Sequence, residues 1–284
     1  MTIAEIISKI KPPTVIHHFP SDVIKMIGNE SVDFLQRITT NDFTGFTEGK
    51  IQKTLLVTDK GRIIDTVWLI HRNDHLLMLT SSGMAAETIS WLNKYIIMED
   101  IILSDITNEF EINLHFMTTD NFYCSDYFGF PVSFELKEHS VNESTKFSNT
   151  FEQWRIENGI PKVKKELVQD FNPLELNLWS WISFTKGCFI GQEVIARLDT
   201  YNKIQRTLCK FSATERVNEQ ELLLDENGTE IGKITSVIES DNKFIGLSVV
   251  RVKFAIEQQT LKSKDSNVTV RIDRVFQKEA YERN

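Results

Sequence analysis

The stretch IQKTLLVTDKGRIIDTVWLIHRNDHLLMLT, from Ile51 to Thr80, decides how this chain is built. Ile51 to Thr58 is rich in apolar and β-branched residues and reads as a strand. Asp59-Lys60-Gly61 then supplies a turn, with glycine where a positive φ is needed. Ile63 to His71 is a second strand, Arg72-Asn73-Asp74 turns the chain again, and His75 to Thr80 is a third. Strands joined by turns this short are antiparallel neighbours, because a parallel pair needs a long crossover.

Working outward, Val23 to Ile27 reads as a strand ending at Gly28-Asn29. Asn29 is placed to cap a helix from Glu30 to about Arg37, with Val32, Leu35 and Ile38 as its apolar stripe. The polar cluster Thr39-Thr40-Asn41-Asp42 ends it, as a turn or as the edge of a pocket. Met84 to Ile97 repeats Ala85, Ile89, Leu92 and Ile96 at helical spacing, and Ile101 to Leu103 is a short strand. The order strand, helix, three strands, helix, strand is mixed α+β and not a doubly wound parallel sheet. At the N-terminus, residues 1–13 read as a helical or loose lead-in stopped by Pro12-Pro13. His17 and His18 lack acidic or cysteine neighbours at ligand spacing, so no metal site is expected there.

Phe110–Met117 and Phe130–Leu136 look like further strands, and 137–150 is a polar surface loop. Phe151 to Asn158 is a short helix with Gly159 at C′ and Pro161 beyond. Asn172-Pro173-Leu174-Glu175 combines a cap, a proline at N1 and an acid at N3, so a helix is expected to run on through Leu178, Trp181 and Ile182. After about Thr207 the pattern changes to short strands, Leu208–Phe211, Leu222–Leu224, Glu230–Val237, Phe244–Val250 and Val268–Ile272. That spacing predicts a small barrel or sandwich. The expected division is therefore 1–207 and 208–284.

The totals exclude some classes. With a net charge of −8 over 284 residues, general nucleic-acid binding by phosphate neutralisation is not expected. Cys124, Cys188 and Cys209 form no paired framework and no C-x-x-C motif, which suits a reducing cytoplasm. No run approaches the length of a membrane span, and Met1 to Pro20 has no secretory pattern.

Candidate chemistry concentrates between Thr185 and Arg197. Cys188 sits in Lys186-Gly187-Cys188, ahead of a helix expected to start near Gly191. A cationic neighbour and a helix N-terminus both favour thiolate. A buried, packed cysteine is the alternative. Glu193 and Arg197 are a surface i,i+4 pair or, with Gln192, the lining of a pocket. Glu157 lies at a helix C-terminus, where negative charge is unfavourable, so it is either a solvated carboxylate or one kept to bind a ligand's donor array. Asp65 interrupts an apolar strand and either faces a cavity or points to solvent on an open face.

Lys186-Gly187-Cys188-Phe189-Ile190-Gly191-Gln192-Glu193 resembles the Lys-Gly-Cys-Tyr-x-Gly-Gln-Glu signature of YgfZ-type folate-binding proteins, relatives of the aminomethyltransferase (T-protein) of the glycine cleavage system. Phe34-Leu35-Gln36, Thr40-Asn41-Asp42, Gly61-Arg62, Arg155-Ile156-Glu157-Asn158-Gly159-Ile160-Pro161 and Pro173-Leu174-Glu175 are similar to that family's segments in the same order. The resemblance implies α+β, ferredoxin-like subdomains forming a folate-binding T-protein-like domain, plus a C-terminal small β-barrel. It implies tetrahydrofolate as cofactor, with Glu157 holding the pterin and Asn41 and Asp42 near the folate channel; Asp65, read as facing a cavity, is a further cofactor-binding candidate. Cys188 and Lys186 would carry the chemistry, with Gly187, Gly191, Gln192 and Glu193 shaping the loop; Arg197, read as pocket lining with Gln192 and Glu193, is a further binding candidate. The implied role is iron–sulfur cluster assembly or repair, supporting radical enzymes such as tRNA thiomethylases. Its partners would be folate and iron–sulfur enzymes or assembly proteins. Two departures stand out. Phe189 replaces the signature tyrosine, and Thr66 replaces the second acid that aminomethyltransferases carry beside Asp65. Aminomethyl transfer to tetrahydrofolate is the alternative activity.

Overall fold

A computed structural model describes residues 14–16, 19–116, 122–138 and 149–277. The lead-in expected over 1–13, the His17-His18 pair and most of the polar segment 137–150 lie outside the described residues. The chain divides into two compact units. The first comprises 1–59, 64–148 and 180–192, and the second 60–63, 149–179 and 193–284.

The first unit contains two sheets. Strands β1 (Val15–Ile16), β2 (Ser21–Ile27), β3 (Ile51–Val57), β4 (Ile63–Arg72), β5 (His75–Ser81) and β6 (Ile102–Asp105) come first, with helices α1 (Ser31–Ile38) and α2 (Ala85–Asn93) between them. One sheet has the order β3-β4-β5-β2-β6, and the hairpins read from Ile51 to Thr80 are its first three strands. Its β4–β5, β5–β2 and β2–β6 pairings are antiparallel. The second sheet orders β1, β7 (Phe110–His115), β9 (Phe130–Glu138) and β8 (Tyr123–Tyr127) as β1-β7-β9-β8, all antiparallel. Phe34, Leu35 and Ile38 of α1 and Ala85, Trp91 and Leu92 of α2 pack with Ile24, Met26, Val67, Leu69 and Met78 of the first sheet into one core.

In the second unit, β10 (Arg206–Ala213), β11 (Leu222–Leu224), β12 (Glu230–Ser240), β13 (Lys243–Arg251), β14 (Thr260–Ser263) and β15 (Thr269–Phe276) close into a six-stranded barrel. Pairing of β10 with both β13 and β15 seals it, so no edge is left to aggregate. Helix α3 (Asn149–Glu157) ends in a Schellman motif: Gly159 adopts φ 65°, its N–H donates to Ile156 O, and Ile160 N–H donates to Arg155 O.

Several local expectations need correction. Asn29 does not cap α1; the N-cap position is Glu30, and Ser31 N–H donates to Gly28 O instead. Helix α2 stops at Asn93, short of Ile97, because Glu99 takes the N–H groups of Ile97 and Met98 into its own turn. The capping box at Asn172 is real, with Asn172 accepting from Leu174 and Glu175 and Glu175 accepting from Asn172. It nevertheless opens only a 3₁₀ turn, Pro173–Leu176, because Asn177 turns left-handed at φ 60°. β8 and β14 were not separately expected.

Candidate functional site

The signature loop is built on the end of α1. Thr40 Oγ1 donates to Trp181 O (2.7 Å), Ser183 N–H donates to Thr40 O (3.0 Å), and Lys186 N–H donates to Ser183 Oγ (3.2 Å). Lys186 then turns inward. Its ammonium donates to Thr39 O (2.9 Å) and Asn41 O (2.6 Å) and lies 5.4 Å from the Phe189 ring centroid. Burial pulls its pKa down to about 8, opposed by the Asp42 carboxylate, so at neutral pH it is protonated and both carbonyl bonds are made. Lys186 is therefore a clamp within the first unit, with its donors directed at backbone.

Cys188 stands between two buried anchors, Lys186 and Phe189, and is itself exposed. The packed-cysteine alternative is thereby excluded; Cys209, in the barrel core, is the buried one. Gly187 needs neither a left-handed backbone nor a close approach, and a side chain there would meet open space. Gly191 does adopt φ 77°, turning the chain into α4 (Gln192–Thr200) one residue after the expected start. Gln192 N–H donates to Phe189 O (3.2 Å). Glu193 and Arg197 are an exposed pair 3.9 Å apart, the surface arrangement their spacing allows.

Asn41 and Asp42 are committed to their own turn. Asn41 Nδ2 donates to Lys53 O and its Oδ1 accepts from Asp42 N–H. Asp42 Oδ1 accepts from Thr44 N–H, Thr44 Oγ1 and Gln36 Nε2, which hold its carboxyl below the usual range, the Thr44 bonds most of all.

Asp65 does not point to solvent. It is fully buried; Oδ1 accepts from Thr66 N–H (2.8 Å) and Ser81 Oγ (2.6 Å), and Oδ2 accepts from Ser81 N–H (2.9 Å). β4 has no open face here, since its first eight residues are all buried. Burial pushes the carboxyl up to about 7 against those three bonds. The folded chain thus binds this proton more tightly than the unfolded chain. Asp65 therefore makes stability fall as pH rises from about 4 to about 7, with no further change above that. Thermal midpoints measured across that window should lose this slope in Asp65→Asn; a slope that persists in the variant belongs to other groups.

In the second unit, Glu157 closes α3 and pairs with Lys210 of β10. Lys210 was missed in the sequence; a lone cation within the expected strand Leu208–Phe211 was its only signal. Arg155, two residues earlier, is buried and donates to Glu152 Oε2 (2.8 Å), Ile160 O (3.2 Å) and Ser236 Oγ (3.0 Å). Ser236 in turn donates to the fully buried Glu166 (2.7 Å). The end of α3 is thereby fastened to β12.

Among the described residues, no three His, Cys, Asp or Glu side chains are grouped to hold a metal ion. No described helix is long and apolar enough to cross a membrane.

Comparison with known proteins agrees with this layout. The GCVT N-terminal domain family matches residues 19–114. The tRNA-modifying protein YgfZ of Buchnera aphidicola is 26% identical over 295 residues, covering 89% of this chain and 87% of that protein. These matches support a YgfZ-type, T-protein-like family member. The family's fold is seen in the glycine cleavage system aminomethyltransferase T from Bartonella henselae, which superimposes with a TM-score of 0.73 at 14% identity, over 92% of this chain and 85% of that one. The T-protein-like α+β architecture with its C-terminal barrel is thus established. A putative chloroplastic transferase of Arabidopsis thaliana is 27% identical over 255 residues, or 75% of this chain; the chain spans 59% of that protein's length.

Proposed function

We propose that this chain binds tetrahydrofolate and acts as an accessory protein in iron–sulfur cluster assembly or repair, with Cys188 as its functional thiol. The observation that carries the reading is the presentation of Cys188, exposed on a loop whose flanking Lys186 and Phe189 are buried. A structural cysteine has no need of that scaffold.

The residues also fit the folate, in part. A pterin edge presents adjacent N–H donors that one carboxylate can accept. Glu157 is partly exposed, with Lys210 recorded at one oxygen, which leaves acceptor capacity for such an edge. Asp65 does not fit, because it is buried and its oxygens are taken. Tetrahydrofolate, when bound, carries one-carbon units on N5 of its pterin and on the neighbouring N10; Glu157 would hold and orient the pterin ring. The closure of Asp65, with Thr66 beside it also buried, counts against aminomethyl transfer, since no acid of that strand can reach a substrate.

The radical enzymes that thiomethylate tRNA, and iron–sulfur enzymes or assembly proteins generally, are the proposed beneficiaries. Cells lacking this protein and supplied with the wild-type chain should regain [4Fe–4S] enzyme activity and tRNA thiomethylation. The same cells supplied with Cys188→Ser should stay at the deletion level. Because Cys188 is exposed, the variant's stability should change by no more than about 0.5 kcal/mol. Full rescue by Cys188→Ser would remove the thiol from the function.

A further inference from the structure

Glu99 closes a turn on the edge of the first unit. Its Oε2 accepts the N–H groups of Ile97 (3.0 Å) and Met98 (3.2 Å), and its Oε1 accepts from Arg37 Nη2 (2.8 Å), which holds the carboxyl down at about 2. Gly28 lets this turn close on the end of β2, since a Cβ there would lie 2.2 Å from Asp100 O. The turn so fastened displays Ile97 and Met98 at 84% and 92% exposure. Beside it, Ile27 and Ile102 pair across β2 and β6 at 40% and 57% exposure. Large apolar side chains gathered on a hydrogen-bonded turn form the kind of exposed patch at which proteins interact.

The strand that carries them is unpaired on one side. β6 is the last strand of its sheet. Ile106 N–H donates to Val23 O, so the antiparallel alternation turns the backbone groups of Leu103 and Asp105 away from β2. From Ile96 to Glu109 the chain carries four acids, Glu99, Asp100, Asp105 and Glu109, and no Lys or Arg. Asp100, Asp105 and Glu109 are exposed, and Lys25, opposite Ser104, is the nearest cation in register.

We propose that the β6 edge and the Ile97-Met98 turn receive an extended segment of a partner protein, in which apolar residues alternate with Lys or Arg. The segment adds as a further strand: its main chain meets Leu103 and Asp105, its apolar side chains cover Ile97, Met98, Ile102 and Ile27, and its cations meet the acidic rim. A second copy of this chain is disfavoured, because two such edges would bring like charges together.

Fluorescence anisotropy with a labelled Lys-Val-Lys-Ile-Lys-Val-Lys-Ile-Lys peptide tests this on the full chain. The peptide should bind at low salt, and weaken at 0.5 M salt (about the point where the screening length falls to a few ångströms). The Ile97→Ser/Met98→Ser variant and the Asp100→Lys variant should each lose roughly tenfold or more in affinity. Backbone N-methylation of the peptide on alternate residues should abolish binding, and the glutamate counterpart of the peptide should not bind. Three results would overturn the proposal: no binding, equal binding of the glutamate peptide, or binding indifferent to the substitutions. Sedimentation of the wild type as a dimer that Ile97→Ser/Met98→Ser dissociates would also overturn it, making a second copy the occupant.

Discussion

Arg155→Met should destabilise the second unit by about 3–5 kcal/mol, the cost typical of removing one partner from a buried ion pair. Arg155 is the buried hub of a polar network. It meets Glu152, Ser236 and the Ile160 carbonyl directly and lies 3.7 Å from Glu166. Glu166 is fully buried, with Lys162 N–H (3.0 Å) and Ser236 Oγ as its remaining donors. Methionine fills the volume but leaves that carboxylate without a cation. Denaturant unfolding should show a lower midpoint for the barrel unit, and folate affinity should fall with it because Glu157 rides on the same helix end. Glu166→Gln combined with Arg155→Met should recover part of the loss, since it removes the stranded charge. A loss in Arg155→Met below about 1 kcal/mol would mean the network is solvated.

Lys186→Met should cost about 1–3 kcal/mol, the penalty for stranding a buried acceptor. The Thr39 carbonyl is buried and would have no donor; the Asn41 carbonyl is partly buried and can be reached by water. The functional consequence follows from the loop. Without the clamp, the 183–189 segment keeps the Thr40–Trp181 and Ser183–Thr40 bonds but loses its inward anchor beside Cys188. Hydrogen exchange at Thr39 to Asp42 should accelerate, and Cys188 should react with a spread of alkylation rates in place of one. Lys186→Arg should not restore the wild-type pattern, because a planar guanidinium cannot aim two donors down the path one ammonium takes. Unchanged exchange in Lys186→Met would show that the ammonium holds nothing.

Much of this layout was legible in the sequence because it rests on local rules. The hairpins between Ile51 and Thr80 follow from turn chemistry, and the α3 terminus from glycine at C′. Cys188 stood out because a thiol between Lys186-Gly187 and Gly191 is not how a core is written. What failed was non-local. Asp65 looked able to face outward because alternation along β4 cannot reveal that its first eight positions are all covered. Lys186 looked chemical because no spacing rule shows that its ammonium meets the carbonyls of residues 39 and 41, nearly 150 positions away. Lys210 was invisible as the partner of Glu157 for the same reason. Asn172 wrote a correct capping box, yet Asn177 ended the turn at once.

Titration calorimetry with tetrahydrofolate, on the wild type and on Glu157→Gln, tests the central claim most directly. A single site on the wild type is expected, weakened roughly 10- to 150-fold in Glu157→Gln by the loss of charge-assisted hydrogen bonds worth about 1.5–3 kcal/mol. No heat of binding to the wild type, or an affinity unchanged in Glu157→Gln, would contradict the account.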